Sequence, residues 1–71
     1  MSIVKHSVLI AGHRTSISLE PEFWDAFKQI AKKKGTTPVA LITEIDADRT
    51  EGLSSALRVF VLKEIMNEKE F

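Results

Sequence analysis

At 71 residues the chain has room for one domain, close to the lower size limit for a self-sufficient core, and the absence of cysteine excludes disulfide staples and thiolate metal sites. Ten basic against ten acidic side chains give zero formal charge, which argues against nucleic-acid binding by bulk attraction. An apolar share of 44% excludes a disordered chain, and no apolar run approaches the ~20 residues needed to cross a bilayer.

The charge is unevenly placed. Residues 1–34 carry six cations against three acids, residues 35–71 carry four against seven, and the first 19 residues contain no acid. Two copies holding their N-terminal segments together would form one basic face on a neutral body. The plain alternative is an accidental charge asymmetry in a small protein. The short apolar stretch at the start lacks the basic region of a signal peptide, and the expected location is cytoplasmic.

In chain order, residues 3–11 are strand-like with Val4, Val8 and Ile10 on one parity; after Gly12 the apolar parity becomes odd. The switch predicts a bulge or turn at Ala11-Gly12-His13. Residues 1–12 are accordingly read as an N-terminal arm or extra strand, 13–67 as the main domain and 68–71 as a short tail.

His13 to Glu20 alternates with period 2, which puts Thr15, Ile17 and Leu19 on one face and Arg14, Ser16 and Ser18 on the other. A lone strand leaves its backbone groups unsatisfied, and its copy in a second chain is the simplest partner. A two-stranded ribbon with outward Arg and Ser side chains fits the DNA major groove. Association would also supply the stability that so small a core lacks.

A first helix is predicted from Pro21 to about Lys34, with Pro at its first position, acids at its start, Lys32 to Lys34 at its end and Gly35 as its stop. Its apolar stripe is Phe23, Trp24, Phe27, Ile30 and Ala31, a core pattern rather than a base-stacking surface. The second helix opens on Thr37 as N-cap with Pro38 behind it and carries Val39, Leu41, Ile42 and Ile45 inward. The third runs from about Leu53 to Asn67, and its segment Val59-Phe60-Val61-Leu62 is apolar almost all the way round, which calls for a partner chain.

No catalytic constellation emerges, and neither an enzyme activity nor a cofactor is expected. His6 and His13, the only histidines, read as surface or DNA-edge groups rather than metal ligands. Ser16, Ser54 and Ser55 have no identifiable base, and the latter two read as helix caps. The stretch from Asp46 to Gly52 imitates a calcium loop but puts Glu51 where glycine is required and Leu57 where the final acid is required. Glu44, Asp46, Asp48 and Glu51 form a solvated face able to dock a basic protein partner.

The order of strand, Pro-headed helix, Gly35-Thr36-Thr37 turn and second helix resembles the ribbon-helix-helix superfamily of Arc and MetJ repressors. More narrowly, Gly12 to Glu20 with Phe23-Trp24, together with Leu53 to Leu62, is similar to short stand-alone bacterial ribbon-helix-helix proteins. The likeness spans about Val4 to Ile65.

It implies a mostly α fold with the N-terminal strand pairing across an intertwined homodimer, here extended by a third C-terminal helix. The ribbon would enter the major groove with Arg14, Ser16 and Ser18 facing the bases. The second helix would grip a phosphate at Thr36 and Thr37, although Pro38 removes one backbone donor there. Lys5 and Lys28 are further candidates for phosphate contact, and Ile17, Leu19, Trp24, Phe27, Ile42 and Phe60 form the expected dimer core.

The function expected is sequence-specific binding of double-stranded DNA, as a transcriptional repressor. The alternative is a protein-interaction module, an antitoxin or adaptor, using the same dimer. Operator, effector and assembly of dimers into arrays along DNA are left open.

Overall fold

The computed structural model describes residues 3–69. In order, the chain forms β1 (Val4–Ile10), β2 (His13–Leu19), α1 (Pro21–Lys33), α2 (Pro38–Asp48) and α3 (Leu53–Lys69). Residues 70 and 71 of the expected tail lie outside the described residues.

β1 and β2 form an antiparallel hairpin in register from Val4 opposite Leu19 to Ile10 opposite His13. Its loop is Ala11-Gly12, with φ of 50° and 81°. Two consecutive left-handed residues make the tight turn whose twist matches that of the flanking strands. The turn explains the parity switch: facing residues are of opposite parity, so His6, Val8 and Ile10 share a face with Thr15, Ile17 and Leu19.

The hairpin corrects one expectation. β2 is not a lone strand that must find its partner in a second chain, because β1 supplies that partner a two-residue turn away.

Pro21 starts α1. Its end is a Schellman arrangement: the Thr36 N–H donates to the Ala31 carbonyl at 2.9 Å and the Gly35 N–H to the Lys32 carbonyl at 3.1 Å. Gly35 at φ 72° supplies the left-handed residue that this geometry needs. In α2 the Thr37 hydroxyl accepts the Ala40 N–H at 3.1 Å, as expected of the N-cap.

The core gathers Ile10, Ile17 and Leu19 from the hairpin, Phe27, Ile30 and Ala31 from α1, Leu41 and Ile42 from α2, and Leu53, Leu57 and Val61 from α3. Aromatic rings link these layers: Trp24 stacks on Phe27 at 6.0 Å between centroids, and Phe27 meets Phe60 edge-on at the same distance. Val39, expected inward, is 44% exposed. It is the second residue of α2 and stands nearly opposite Leu41, since two positions turn the helix by about 200°.

Ile17, Leu19, Phe27 and Ile42 have no exposed surface in the single chain, so they serve its own core and offer nothing to a second copy. Trp24 and Phe60 are half-buried against that core. On α3 the apolar surface that remains open is Val59, Leu62 and Met66, on the side opposite Leu57.

Candidate nucleic-acid interface

The outward face of the hairpin consists of Lys5, Ser7 and Leu9 on β1 and, in register across from them, Ser18, Ser16 and Arg14 on β2. All are exposed except Ser18, which is half-buried. Neither strand contains an acidic residue, so two cations and three hydroxyls stand on this face without a carboxylate between them. Ser7 and Leu9 were not singled out from the sequence; the register that brings them beside Ser16 and Arg14 depends on where the turn falls.

The backbone directions follow from the turn. In a two-residue hairpin the flanking pair, Ile10 and His13, exchanges both hydrogen bonds, and hydrogen-bonded and non-bonded pairs then alternate. The N–H and C=O groups of Arg14, Ser16 and Ser18 therefore point away from β1, and those of Lys5, Ser7 and Leu9 away from β2.

Ser18 bears this out. Its N–H donates to the Ser54 hydroxyl at 3.0 Å, and its carbonyl accepts from Arg58 Nη2 at 3.2 Å. Arg58 Nε in turn donates to Glu20 Oε1 at 3.0 Å, a pair whose side chains are about 30% exposed. The Glu20 carboxyl is held below its usual range first by a backbone hydrogen bond and then by the Arg58 guanidinium. α3 thus closes the outer edge of β2 at its C-terminal end. Ser54, expected as a helix cap, bonds across the fold to the strand instead; α3 starts with the Ala56 N–H on the Gly52 carbonyl. Nothing local distinguishes a serine that caps from one that reaches 36 residues back.

The other predicted site residues are scattered. Lys28 lies 3.7 Å from Asp25 along α1, so its charge is partly matched. At the start of α2, Pro38 has no N–H, Thr37 has taken that of Ala40, and the Leu41 N–H bonds to the Thr37 carbonyl at 3.0 Å. Within the first helical turn the Val39 N–H is left for an anion, beside the hydroxyls of Thr36 and Thr37. His13 is exposed at the turn. His6 is neither a surface group nor a DNA-edge group: it lies on the core face, stacked on Trp24 at 4.2 Å with 21° between the rings, and its Nε2 is buried without a hydrogen-bond partner.

Asp46 binds Arg49 at 2.6 Å. Glu44, Asp48 and Glu51, with Arg49 and Lys63, line a groove of about 380 Å³ between α2 and α3 that also takes in Leu41, Ile45 and Phe60. Among the described residues no three His, Cys, Asp or Glu side chains are grouped to hold a metal, and no helix is long and apolar enough to cross a membrane.

The family model for the ribbon-helix-helix domain matches residues 3–65. The chain belongs to the ribbon-helix-helix domain family. Among solved structures it is similar to an uncharacterized protein from Bordetella pertussis Tohama I, with 28% identity and a TM-score of 0.81 over 97% of this chain. It spans 60% of that protein's length. No curated protein matches the sequence. Ribbon-helix-helix domains are in general DNA-binding regulators or antitoxins and typically non-enzymatic.

Proposed function

We propose that the protein binds double-stranded DNA sequence-specifically as a homodimer and acts as a transcriptional repressor. One observation carries the reading: the exposed face of the hairpin aligns Arg14, Ser16 and Ser18 with Lys5 and Ser7 and contains no acid. A two-stranded ribbon has the width that the major groove admits. Arg14 suits a bidentate contact to guanine, and the serine hydroxyls serve as donors or acceptors to several bases. Lys5 lies on the same face for a phosphate; Lys28, Thr36 and Thr37 are secondary contacts.

The test is selection of bound sequences from random DNA, followed by mobility shifts at two salt concentrations. Arg14→Ala should weaken binding by about 1–3 kcal/mol and relax specificity at one base position. Lys5→Ala should weaken all sequences alike and make the salt dependence shallower. Arg14→Ala binding as the parent does would refute the assignment.

A second reading has its own observation, the groove between α2 and α3, which is lined by Glu44, Asp48 and Glu51 together with Arg49 and Lys63. In that reading the same dimer serves as an antitoxin or adaptor that takes a basic protein partner over Glu44, Asp46 and Asp48. A stoichiometric complex lost on Glu44→Lys or Phe60→Ala but kept on Arg14→Ala would favour it.

A further inference from the structure

We infer that Arg58, held by Glu20 and assisted by Ser54, is a positioning residue for base reading: it sets where the Ser18 hydroxyl stands at the DNA while touching no DNA itself. The inference rests on the DNA-binding reading above and gives α3 a part in it.

Ser54 and Arg58 are four positions apart on α3, so they share one face of that helix, a turn apart. Both engage the same residue. The Ser18 N–H donates to the Ser54 hydroxyl at 3.0 Å, and the Ser18 carbonyl accepts from Arg58 Nη2 at 3.2 Å. Bonding both backbone groups of one residue fixes its position and tilt, and with them the direction of its Cα–Cβ bond. Arg14 and Ser16, the other residues assigned to the bases, are exposed, whereas Ser18 is half-buried against this clamp.

Side-chain length decides which contact the clamp governs. A serine hydroxyl lies one bond beyond Cβ and has three staggered positions about a single torsion, so a displaced backbone carries the hydroxyl with it. Hydrogen bonds to a base hold over only a few tenths of an ångström. An arginine has several torsions between backbone and guanidinium and recovers a displaced contact by changing rotamer. The base met by Ser18 therefore depends on the clamp, and the base met by Arg14 does not.

A direct phosphate contact by Arg58 is the competing role, and its surroundings oppose it. Its Nε donates to Glu20 Oε1 at 3.0 Å, both side chains are about 30% exposed, and the carboxylate offsets the guanidinium charge. The rigid planar fork of arginine allows one group to bond Glu20 and the Ser18 carbonyl together. Glu20 directly follows β2, so strand end, carboxylate and guanidinium close into one ring of contacts.

Selection of bound sequences from random DNA tests this on the full chain, with circular dichroism showing that each variant is folded at the assay temperature. Ser18→Ala and Arg14→Ala first mark the base positions that the two residues read. Ser54→Ala cuts one bond of the clamp. Glu20→Gln combined with Arg58→Gln removes the other and leaves the net charge unchanged. Each should reduce preference at the Ser18 position by roughly fivefold, the low end for one base pair, and keep preference at the Arg14 position. Adding Ser18→Ala to either should cost no further selectivity, because the clamp acts through that hydroxyl. The salt dependence of binding should match that of the parent.

A salt dependence shallower by about one phosphate in the Glu20 and Arg58 double variant would overturn the proposal in favour of a direct phosphate contact. Preference weakened evenly at every position, including that of Arg14, would reduce the clamp to a merely structural one. If the double variant does not fold, Ser54→Ala, the loss of a single hydroxyl, decides alone. A profile indifferent to Ser18→Ala or to both clamp variants refutes the inference and leaves the DNA-binding reading standing. A parent protein that selects no sequence removes that reading and this inference with it.

Discussion

The Ser54 hydroxyl accepts the backbone N–H of Ser18 across 36 residues of sequence, at 3.0 Å. It ties the first turn of α3 to the last residues of β2, where the hairpin gives way to α1. Ser54→Ala leaves that N–H without a partner at a half-buried position. A loss of about 1 kcal/mol in urea unfolding is expected, together with faster hydrogen exchange at the Ser18 amide. An exchange rate equal to that of the parent would show that the bond does not hold the edge.

The Glu20–Arg58 pair predicts a pH dependence with a definite sign. Glu20 has its folded-state pKa lowered, so its ionised form favours the fold. That contribution is complete above the unfolded carboxyl pKa of about 4.3 and disappears as pH falls through the lower folded value. Glu20→Gln should therefore be less stable than the parent near neutrality, with the gap closing in acid. Chemical denaturation across a pH series reads this directly, and a gap that widens in acid would contradict it.

Ala11 sits at φ 50°, a left-handed conformation that a Cβ makes unfavourable. Asn tolerates that region and, with Gly12 following, makes the dipeptide favoured in such turns. Ala11→Asn should stabilise the protein by about 0.5–1 kcal/mol, seen as a higher denaturation midpoint with an unchanged slope. Pro at the same position should do the reverse, because its ring cannot reach a positive φ.

His6 keeps its stack on Trp24 while its Nε2 has no partner. A buried polar atom in that condition is costly, whereas a ring of similar shape would retain the packing. His6→Phe is expected to gain about 1 kcal/mol, with Trp24 fluorescence as the unfolding probe. A lower midpoint would mean that the imidazole makes a contact worth more than its orphaned nitrogen costs.

The helices were legible because their signals are local. Pro21, Gly35, Thr37 and Pro38 mark ends through backbone restrictions that need no tertiary context, and the stripe from Phe23 to Ala31 faces the core as its spacing demands. The two faces of β2 were equally readable from alternation. The partner strand was not, although the parity switch at Gly12 pointed to a turn: β1 alternates poorly, with Leu9 outward, and a pattern of that kind does not separate an arm from a hairpin strand. Val39 was misplaced because the first turn of a helix has too few residues to fix its apolar side. The clamp on Ser18 was invisible, since Ser54, Arg58 and Glu20 meet only after α3 folds back over β2. Nothing in the sequence around Arg58 distinguishes it from a solvated cation on a helix.

A strand that finds its mate a two-residue turn away has a kinetic consequence. Hairpins close in microseconds, before two molecules at ordinary concentrations can meet. The chain can therefore complete its strand pairing alone, so that its refolding speed should not vary with how much protein is in the tube.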